Sequence, residues 1–199
     1  MSLAYDIQRL KKRAKTGDAF AAFRYGSACL RGSFETSTGK IYRCHRSVRE
    51  GVAWLKQAAD HGCGEAMIEL GIYYGDDSQV RDKAKKLRQA LYWEKKAWRT
   101  GVEVAGCNIA ITYSKLGMRR RCHEWLVRSY KRCPWSACAV LAKTYLCGYG
   151  VRRNVAKAVR LFQEVLTDSE SIGAHRKLAR QYLKMIKKGA IPEDDSPYP

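Results

Sequence analysis

The stretch Ala66-Met-Ile-Glu-Leu-Gly71-Ile-Tyr-Tyr74 decides how this chain folds, because its pattern occurs five times. A small residue is followed four positions later by an apolar residue, then directly by Gly or Ala, and three positions further on by an aromatic residue. The other four copies begin at Ala21, Ala105, Ala137 and Ala174, and the copy at Ala21 has Cys29 in place of the aromatic residue. Successive copies start 45, 39, 32 and 37 residues apart. Repetition at such a period predicts an array of similar structural units.

The spacing of the pattern is that of an α-helix. Residues at positions i, i+4, i+5 and i+8 lie on one face of a helix. Small residues at i and i+5 allow a second helix to approach closely, and the larger apolar residues fill the groove between the two helices. A glycine inside a helix, such as Gly71, makes the helix about 1 kcal/mol less stable than alanine does. The recurrence of glycine at this position of the pattern therefore indicates a packing requirement.

A second helix is predicted after each of the first four copies. These segments are residues 50–62, 88–101, 122–133 and 154–166. In the last of them an apolar stripe runs from Val155 to Leu166 with helical period. Gly62 and Gly101 stand where helix C-caps are expected.

These segments together resemble the Sel1-like repeat. The resemblance is carried by Tyr145-Leu-Cys-Gly148-Tyr-Gly150-Val151 followed by Lys157-Ala158, and by Trp54-Leu-Lys-Gln-Ala-Ala-Asp-His-Gly62 leading into Ala66. It covers about residues 5–188, and Gly117-Met118 replaces the glycine loop in the third copy. The resemblance implies an all-α, right-handed α/α superhelical solenoid related to tetratricopeptide repeats. We expect about ten helices, with the first helix of each pair lining the concave side.

The repeats also predict the domain organisation. Residues 1–189 are expected to form one repeat domain, with a half-repeat at 1–17, helix pairs starting near 18, 63, 102 and 134, and a terminal helix near 171–188. The first copy departs from the pattern by an insert at 33–46. Residues 190–199 contain three of the four prolines and several acidic residues, and we expect them to be disordered.

The chain is strongly basic, with 38 Lys and Arg against 19 Asp and Glu and a formal net charge of +19. The excess is spread along the sequence, and such a field attracts anionic partners. Residues 1–20 contain no apolar segment of the kind found in secretory signals, and no stretch is apolar enough to cross a membrane. We therefore expect a cytoplasmic protein whose eight cysteines are reduced.

The cysteines do not form a metal-binding motif. Cys133 and Cys138 flank a turn and follow Cys122-His123, but no C-x-x-C pair occurs. The resemblance raises one alternative, since some secreted Sel1-like proteins join neighbouring helices by a disulfide, and Cys133 and Cys138 are placed roughly so. We favour buried thiols over this alternative. No metal and no cofactor is predicted.

No catalytic site is predicted either. The four histidines lie at inequivalent positions of different repeats, and we expect capping or surface roles for them: His45, His61, His123 and His175. No P-loop, dinucleotide-binding or nucleophile-elbow motif occurs. Of the aromatic residues, Tyr73, Trp98 and Trp135 are the ones we expect to face outward, with core filling as the general rule.

The predicted function is therefore binding. We expect a non-catalytic protein–protein interaction module, an adaptor or an immunity-type inhibitor of a toxin or effector, that holds an acidic partner protein in a basic concave groove. The candidate binding residues are Arg24, Tyr73, Asn108, Lys115, Lys143, Lys177 and Arg180. A nucleic-acid-binding repeat protein is the alternative, and an enzyme with an unrecognised site is a weaker one. The sequence leaves the oligomeric state open.

Overall fold

The computed structural model describes residues 3–36, 39–76 and 82–190, and within these ranges the chain forms ten helices and one β-hairpin. The helices are α1 (Leu3–Lys15), α2 (Ala19–Arg31), α3 (Val48–Asp60), α4 (Gly64–Gly75), α5 (Lys83–Arg99), α6 (Ala105–Lys115), α7 (Arg119–Arg132), α8 (Pro134–Cys147), α9 (Val155–Thr167) and α10 (Gly173–Lys187). The expectation of an all-α repeat fold with about ten helices is confirmed. Apart from Ala190, the tail that we expect to be disordered lies outside the described residues.

The helices fall into two compact units, Met1–Val102 and Glu103–Pro199. In the first unit each helix from α1 to α5 packs against its neighbours in the sequence, and in the second unit α6 to α10 do the same. Helix α8 additionally contacts α10, and α2 contacts α4. Each unit is thus built from consecutive helices, with the first helices of neighbouring pairs in contact.

The residues of the repeated pattern form the contacts between helices. Ala66 and Leu70 of α4 are buried, as are the corresponding Ala137 and Leu141 of α8 and the following Ala142. The last copy differs, because Ala174 of α10 is exposed. Among the described residues, the main contacts of α10 are with α8 and α9.

Two glycines bring α2 and α3 into backbone contact. A Cβ atom at Gly26 would lie 3.0 Å from the carbonyl oxygen of Gly51, and a Cβ atom at Gly51 would lie 2.7 Å from the backbone nitrogen of Leu30. In the next pair a Cβ atom at Gly71 would lie 2.7 Å from Cγ of Glu94. The small residue at this position of the repeat therefore lies in a close helix contact, which involves backbone at Gly26 and the Glu94 side chain at Gly71.

Short polar side chains begin several of the helices. Asp18, Ser47 and Asn154 precede α2, α3 and α9, and each accepts a hydrogen bond from a backbone N–H group of the first turn. Helix α8 ends at Gly148, whose φ of 78° is in the left-handed region that glycine adopts without strain. These residues fix where the helices start and stop.

The insert of the first repeat forms the β-hairpin. Strand β1 (Ser33–Glu35) pairs antiparallel with β2 (Ile41–Arg43), with Phe34 opposite Tyr42. The hairpin packs on α2, and the ring of Phe34 is buried there. The backbone N–H of Cys44 donates to the carbonyl of Gly32 and thereby returns the chain to the end of α2. The described part of the insert thus adds a β-hairpin to an otherwise helical fold.

Candidate partner-binding surface

The seven candidate binding residues all lie on the first helix of a pair. Arg24 and Tyr73 belong to α2 and α4 in the first unit, and the other five belong to α6, α8 and α10 in the second. Each of them lies three, six, seven or ten residues after the small residue that opens its copy, and we number the positions by this distance. These positions recur at helical spacing, so they form one stripe along each of the five helices.

In the first unit this stripe is largely engaged in contacts within the chain. The Arg24 guanidinium donates to the carbonyl oxygen of Glu35 and lies 5.2 Å from the centre of the Phe34 ring. Arg31, at the tenth position of α2, forms a bidentate pair with Glu69 of α4 at 3.0 and 2.5 Å. Tyr73 is half-buried, and its ring meets that of Tyr74 edge to face. The hairpin and Glu69 therefore neutralise or cover much of the basic character on α2.

In the second unit, contacts between side chains and backbone groups place α6, α8 and α10 side by side. Cys107 Sγ of α6 donates to the Ser136 carbonyl of α8 at 3.4 Å. Nδ1 of His175 in α10 lies 3.1 Å from the Trp135 carbonyl of α8. About two turns further along, the Lys143 ammonium of α8 lies 5.7 Å from the centre of the Tyr182 ring of α10. The stripes of these three helices thus belong to one surface of the unit.

Positive charge on this surface is concentrated on α8 and α10. Lys177 and Arg180 are exposed, and neither forms an ion pair with another described residue. Lys143 is half-buried at the α8–α10 contact. Neither helix contains an acidic residue. We call the set Lys143, Lys177, Arg180 and Lys184 the α8–α10 basic stripe.

Lys184 is a member of this stripe that sequence analysis missed. It is exposed and stands four residues after Arg180, at the tenth position of its copy. The helical spacing 177, 180, 184 is visible in the sequence and could have identified it. The two α6 residues contribute less charge, because Asn108 is neutral and half-buried, whereas Lys115 is exposed at the end of the helix.

The two units carry similar net charge. Residues 1–102 contain 20 Lys and Arg against 11 Asp and Glu, and residues 103–199 contain 18 against 8. Three of those eight acids stand between 191 and 199, so residues 103–190 contain only five. Of these five, Glu164 accepts a hydrogen bond from Tyr130, and Glu124 pairs with Arg120. The stretch 103–190 therefore has few acidic side chains to pair with its basic ones.

Among the histidines, the expectation of capping or surface roles was wrong for His123, which is buried. Its Nδ1 lies 2.9 Å from Oγ1 of Thr144. The Thr144 hydroxyl donates its proton to the Leu141 carbonyl, so Nδ1 of His123 carries the proton of the shared bond. Burial, and secondarily the nearby Lys157 charge, lower the pKa of His123. The histidine is thus a neutral core residue that ties α7 to α8.

All eight cysteines are free thiols in the structure. Cys138 donates to the Leu161 carbonyl at 3.3 Å, and Cys133 is buried at the junction of α7 and α8. Burial raises the pKa of Cys122 and of Cys138 to about 12, which keeps these thiols protonated. Within the described ranges, no cluster of three or more His, Cys, Asp or Glu side chains is arranged to hold a metal ion.

The three aromatic residues expected to face outward, Tyr73, Trp98 and Trp135, are all half-buried. The most exposed aromatic side chains in the described residues are instead Tyr92 of α5 and Phe20 of α2, at 60% and 56%. Neither residue is one of the recurring positions of the repeat pattern, so the pattern does not specify their exposure. No helix in the described ranges is both long and apolar enough to cross a membrane.

Comparison with known proteins gives matches in structure but none in sequence. No protein-family profile matches the chain, and no curated protein matches it. Among solved structures, c5321, a protective antigen of uropathogenic Escherichia coli strains that displays an SLR fold, matches with a TM-score of 0.69 and 21% identity. This match covers 95% of the present chain but only 38% of the antigen.

A Sel1 repeat protein from Oxalobacter formigenes also matches, with a TM-score of 0.62 and 19% identity over 92% of the present chain and 78% of that protein. Consecutive helix pairs with a small-residue and aromatic repeat define the class as an all-α repeat protein. Within that class, the fold is that of Sel1-like repeats, and the resemblance found in the sequence is confirmed at this level.

Proposed function

We propose that the protein is a non-catalytic protein–protein interaction module, an adaptor or an immunity-type inhibitor, that binds an acidic partner protein through the α8–α10 basic stripe. The observation that carries the proposal is the exposed Lys177–Arg180–Lys184 series on a helix without acidic residues. Side chains at this spacing point the same way, so one acidic surface contacts all of them.

Two further features support the proposal. Helical repeats present extended surfaces built from side chains that the core does not require, and partner proteins bind there. Charge complementarity raises the rate of encounter and selects against basic partners. The resemblance to Sel1-like repeats implies adaptor and scaffold roles and agrees with both features.

Affinity capture with the full chain tests the proposal. A tagged chain is incubated at moderate salt with extract that has been treated with nuclease, and bound proteins are identified and quantified. The test variant carries Lys177→Gln, Arg180→Gln and Lys184→Gln. The matched control carries Lys85→Gln, Arg88→Gln and Arg99→Gln on α5, which removes the same charge from exposed positions of the other unit.

We expect the wild-type chain and the α5 control to retain one acidic protein in stoichiometric amount, and the α10 variant to lose it. Capture that is equal for both variants, or repeated failure to retain any acidic protein, contradicts the proposal. Thermal unfolding of the three proteins confirms that the substitutions leave the fold intact.

Nucleic-acid binding is a second candidate, favoured by the ratio of 18 basic to 5 acidic residues between 103 and 190. Phosphate contacts release counterions, so about four such contacts give an affinity that falls steeply as salt rises. A gel shift with duplex and single-stranded oligonucleotides between 50 and 200 mM salt separates this candidate from the first. Absence of a shift, or a shift insensitive to salt, eliminates it.

A further inference from the structure

A separate cavity in the first unit opens between α1, α2 and the hairpin. Its volume is about 370 Å³, at the lower end of the range for ligand pockets. Three arginines and three apolar side chains supply the main part of its wall: Arg9, Leu10, Arg13, Phe20, Arg24 and Phe34. The cavity lies on a different unit from the α8–α10 basic stripe, and the insert that interrupts the first repeat builds one of its walls.

The arginines differ in how firmly they are held. Arg13 forms two hydrogen bonds with Asp18, at 2.9 Å from Nε and 2.5 Å from Nη2, and Asp18 also caps α2 through the Ala21 N–H group. Arg24 is fixed by Glu35 and by the Phe34 ring. Arg9 is exposed and forms no ion pair with another described residue. The cavity therefore has two positioned guanidinium groups and one that is open to an anion.

Phe20 gives the cavity an apolar side as well. Its ring is 56% exposed although it lies beside Phe23, with the ring centres 5.8 Å apart. An aromatic ring held by a neighbour but open on one side offers a contact site with little loss of side-chain freedom on binding. Leu10 and Phe34 extend the apolar surface into the cavity.

We propose that this cavity anchors a short protein segment in which an acidic residue stands next to an aromatic or large aliphatic residue. The carboxylate of the segment pairs with Arg9, next to the Arg13 guanidinium, and the apolar side chain lies on Phe20. A simple anion leaves the Phe20 side unfilled, and an apolar ligand without charge leaves the Arg9 guanidinium unmatched. The combined charge and apolar complementarity selects the acidic–apolar segment. The proposal does not depend on the stripe of the second unit.

A defined peptide tests the proposal with the full chain. The probe is acetyl-Glu-Phe-amide, titrated into the ¹⁵N-labelled protein while amide chemical shifts are recorded. We expect saturable shifts confined to residues around Arg9, Phe20 and Phe34, with a Kd of about 0.1–1 mM, as suits a ligand of this size. Acetyl-Gln-Phe-amide and acetyl-Glu-Ala-amide test the charged and the apolar half separately, and each should bind about fivefold more weakly or worse.

Two variants and their matched controls complete the test. Arg9→Gln removes the open guanidinium and Phe20→Ala removes the ring, and each should weaken the probe about five- to tenfold. Arg99→Gln and Tyr92→Ala change equally exposed residues of α5 and should leave binding unchanged. The proposal is overturned if no saturable shift occurs up to 10 mM probe, if the shifts map elsewhere, or if the pocket variants bind as the controls do.

Discussion

At the scale of single residues, the fold depends on positions where size is critical. Gly26 and Gly51 face each other across the α2–α3 contact, where no side chain fits without displacing backbone. Gly150 has a φ of 71°, and a Cβ atom there would clash with the backbone of Arg119, which joins the Gly148-Tyr-Gly150 loop closely to the start of α7. Substitutions at such positions act through overpacking rather than through lost contacts.

Gly51→Ala is expected to lower the free energy of unfolding by about 1–3 kcal/mol, because the added methyl group must push the α2 backbone away. Gly173→Ala is the matched control. Gly173 lies in a helix with nothing within 4 Å of its Cβ position, so alanine there is neutral or slightly stabilising. Urea unfolding followed by circular dichroism measures both changes, and equal behaviour of the two variants would argue against a close α2–α3 contact.

Because His123 is buried and neutral, we expect the stability of the fold to depend on pH. Its pKa is lowered in the folded protein, so the unfolded chain takes up the proton first as the pH falls. The stability that neutral His123 contributes is complete above the unfolded pKa of about 6.5 and declines below it. His123→Gln should therefore lose less stability than the wild type between pH 7.5 and 5.5, whereas the exposed control His61→Gln should follow the wild type. The free energy of unfolding of each protein is measured at several pH values in this range. If it changes equally with pH for His123→Gln and the wild type, His123 is not buried in its neutral state.

At the scale of helices and strands, the repeat pattern predicts which face of each helix packs against a neighbour. Ala137 and Ala142 are buried as their spacing predicts, but Ala174 is exposed although it fits the same pattern. The pattern encodes the helix face that meets a neighbour, whereas burial also requires that the neighbour be present. The hairpin could not be predicted for a related reason, since Phe34 is fixed by its contact with α2 and not by any repeat of its own.

The candidate binding surface could also be predicted only in part from the sequence. Lys177 and Arg180 follow from position in the repeat, and Lys184 follows from the same spacing. The contacts of Arg24 with Glu35 and Phe34 depend on where the insert packs, which periodicity does not contain. Whether the seven candidate residues bind a partner stays a prediction.

Polar contacts also tie neighbouring helices together. Oε1 of Glu50 in α3 accepts hydrogen bonds from Lys11 of α1 and Tyr25 of α2, both at 2.9 Å. These bonds, with that of Lys11 the larger cause, lower the pKa of Glu50. The contact therefore stabilises the fold above the unfolded pKa and loses its effect as the pH falls.

Glu50→Gln should lower the free energy of unfolding at pH 7 by about 1 kcal/mol, a modest value because both charged side chains are partly exposed. The difference from the wild type should shrink as the pH falls toward 3, because the carboxylate is protonated progressively, first in the unfolded chain and then in the folded protein. Glu170→Gln changes an exposed carboxylate outside this contact and is the control. A difference that stays constant from pH 7 to pH 3 would count against the charged hydrogen bonds.

At the scale of the whole molecule, the two units carry similar net charge but differ in how their basic side chains are paired. The first unit uses Glu69 and Glu50 in contacts with basic side chains. In the second unit, a surface of α6, α8 and α10 carries the α8–α10 basic stripe, and α8 and α10 contain no acidic residue. We therefore propose that an acidic partner is attracted mainly to this stripe.

Attraction of this kind affects association more than dissociation. For the captured partner, the Lys177→Gln/Arg180→Gln/Lys184→Gln variant should lower the association rate constant about tenfold at low salt while changing the dissociation rate constant less. Raising the salt should reduce the difference. Surface plasmon resonance at two salt concentrations provides both constants, and a purely dissociative effect would show that the stripe is not an electrostatic steering surface.

Hydrogen–deuterium exchange on the full chain, with and without the captured acidic partner, tests directly whether the partner binds at the α8–α10 basic stripe. We expect slower exchange in peptides from α8 and α10, at residues 134–147 and 173–187, and this protection should disappear in the α10 variant and persist in the α5 control. Protection absent from both helices in a complex that does form would contradict the assignment of the α8–α10 basic stripe as the binding surface.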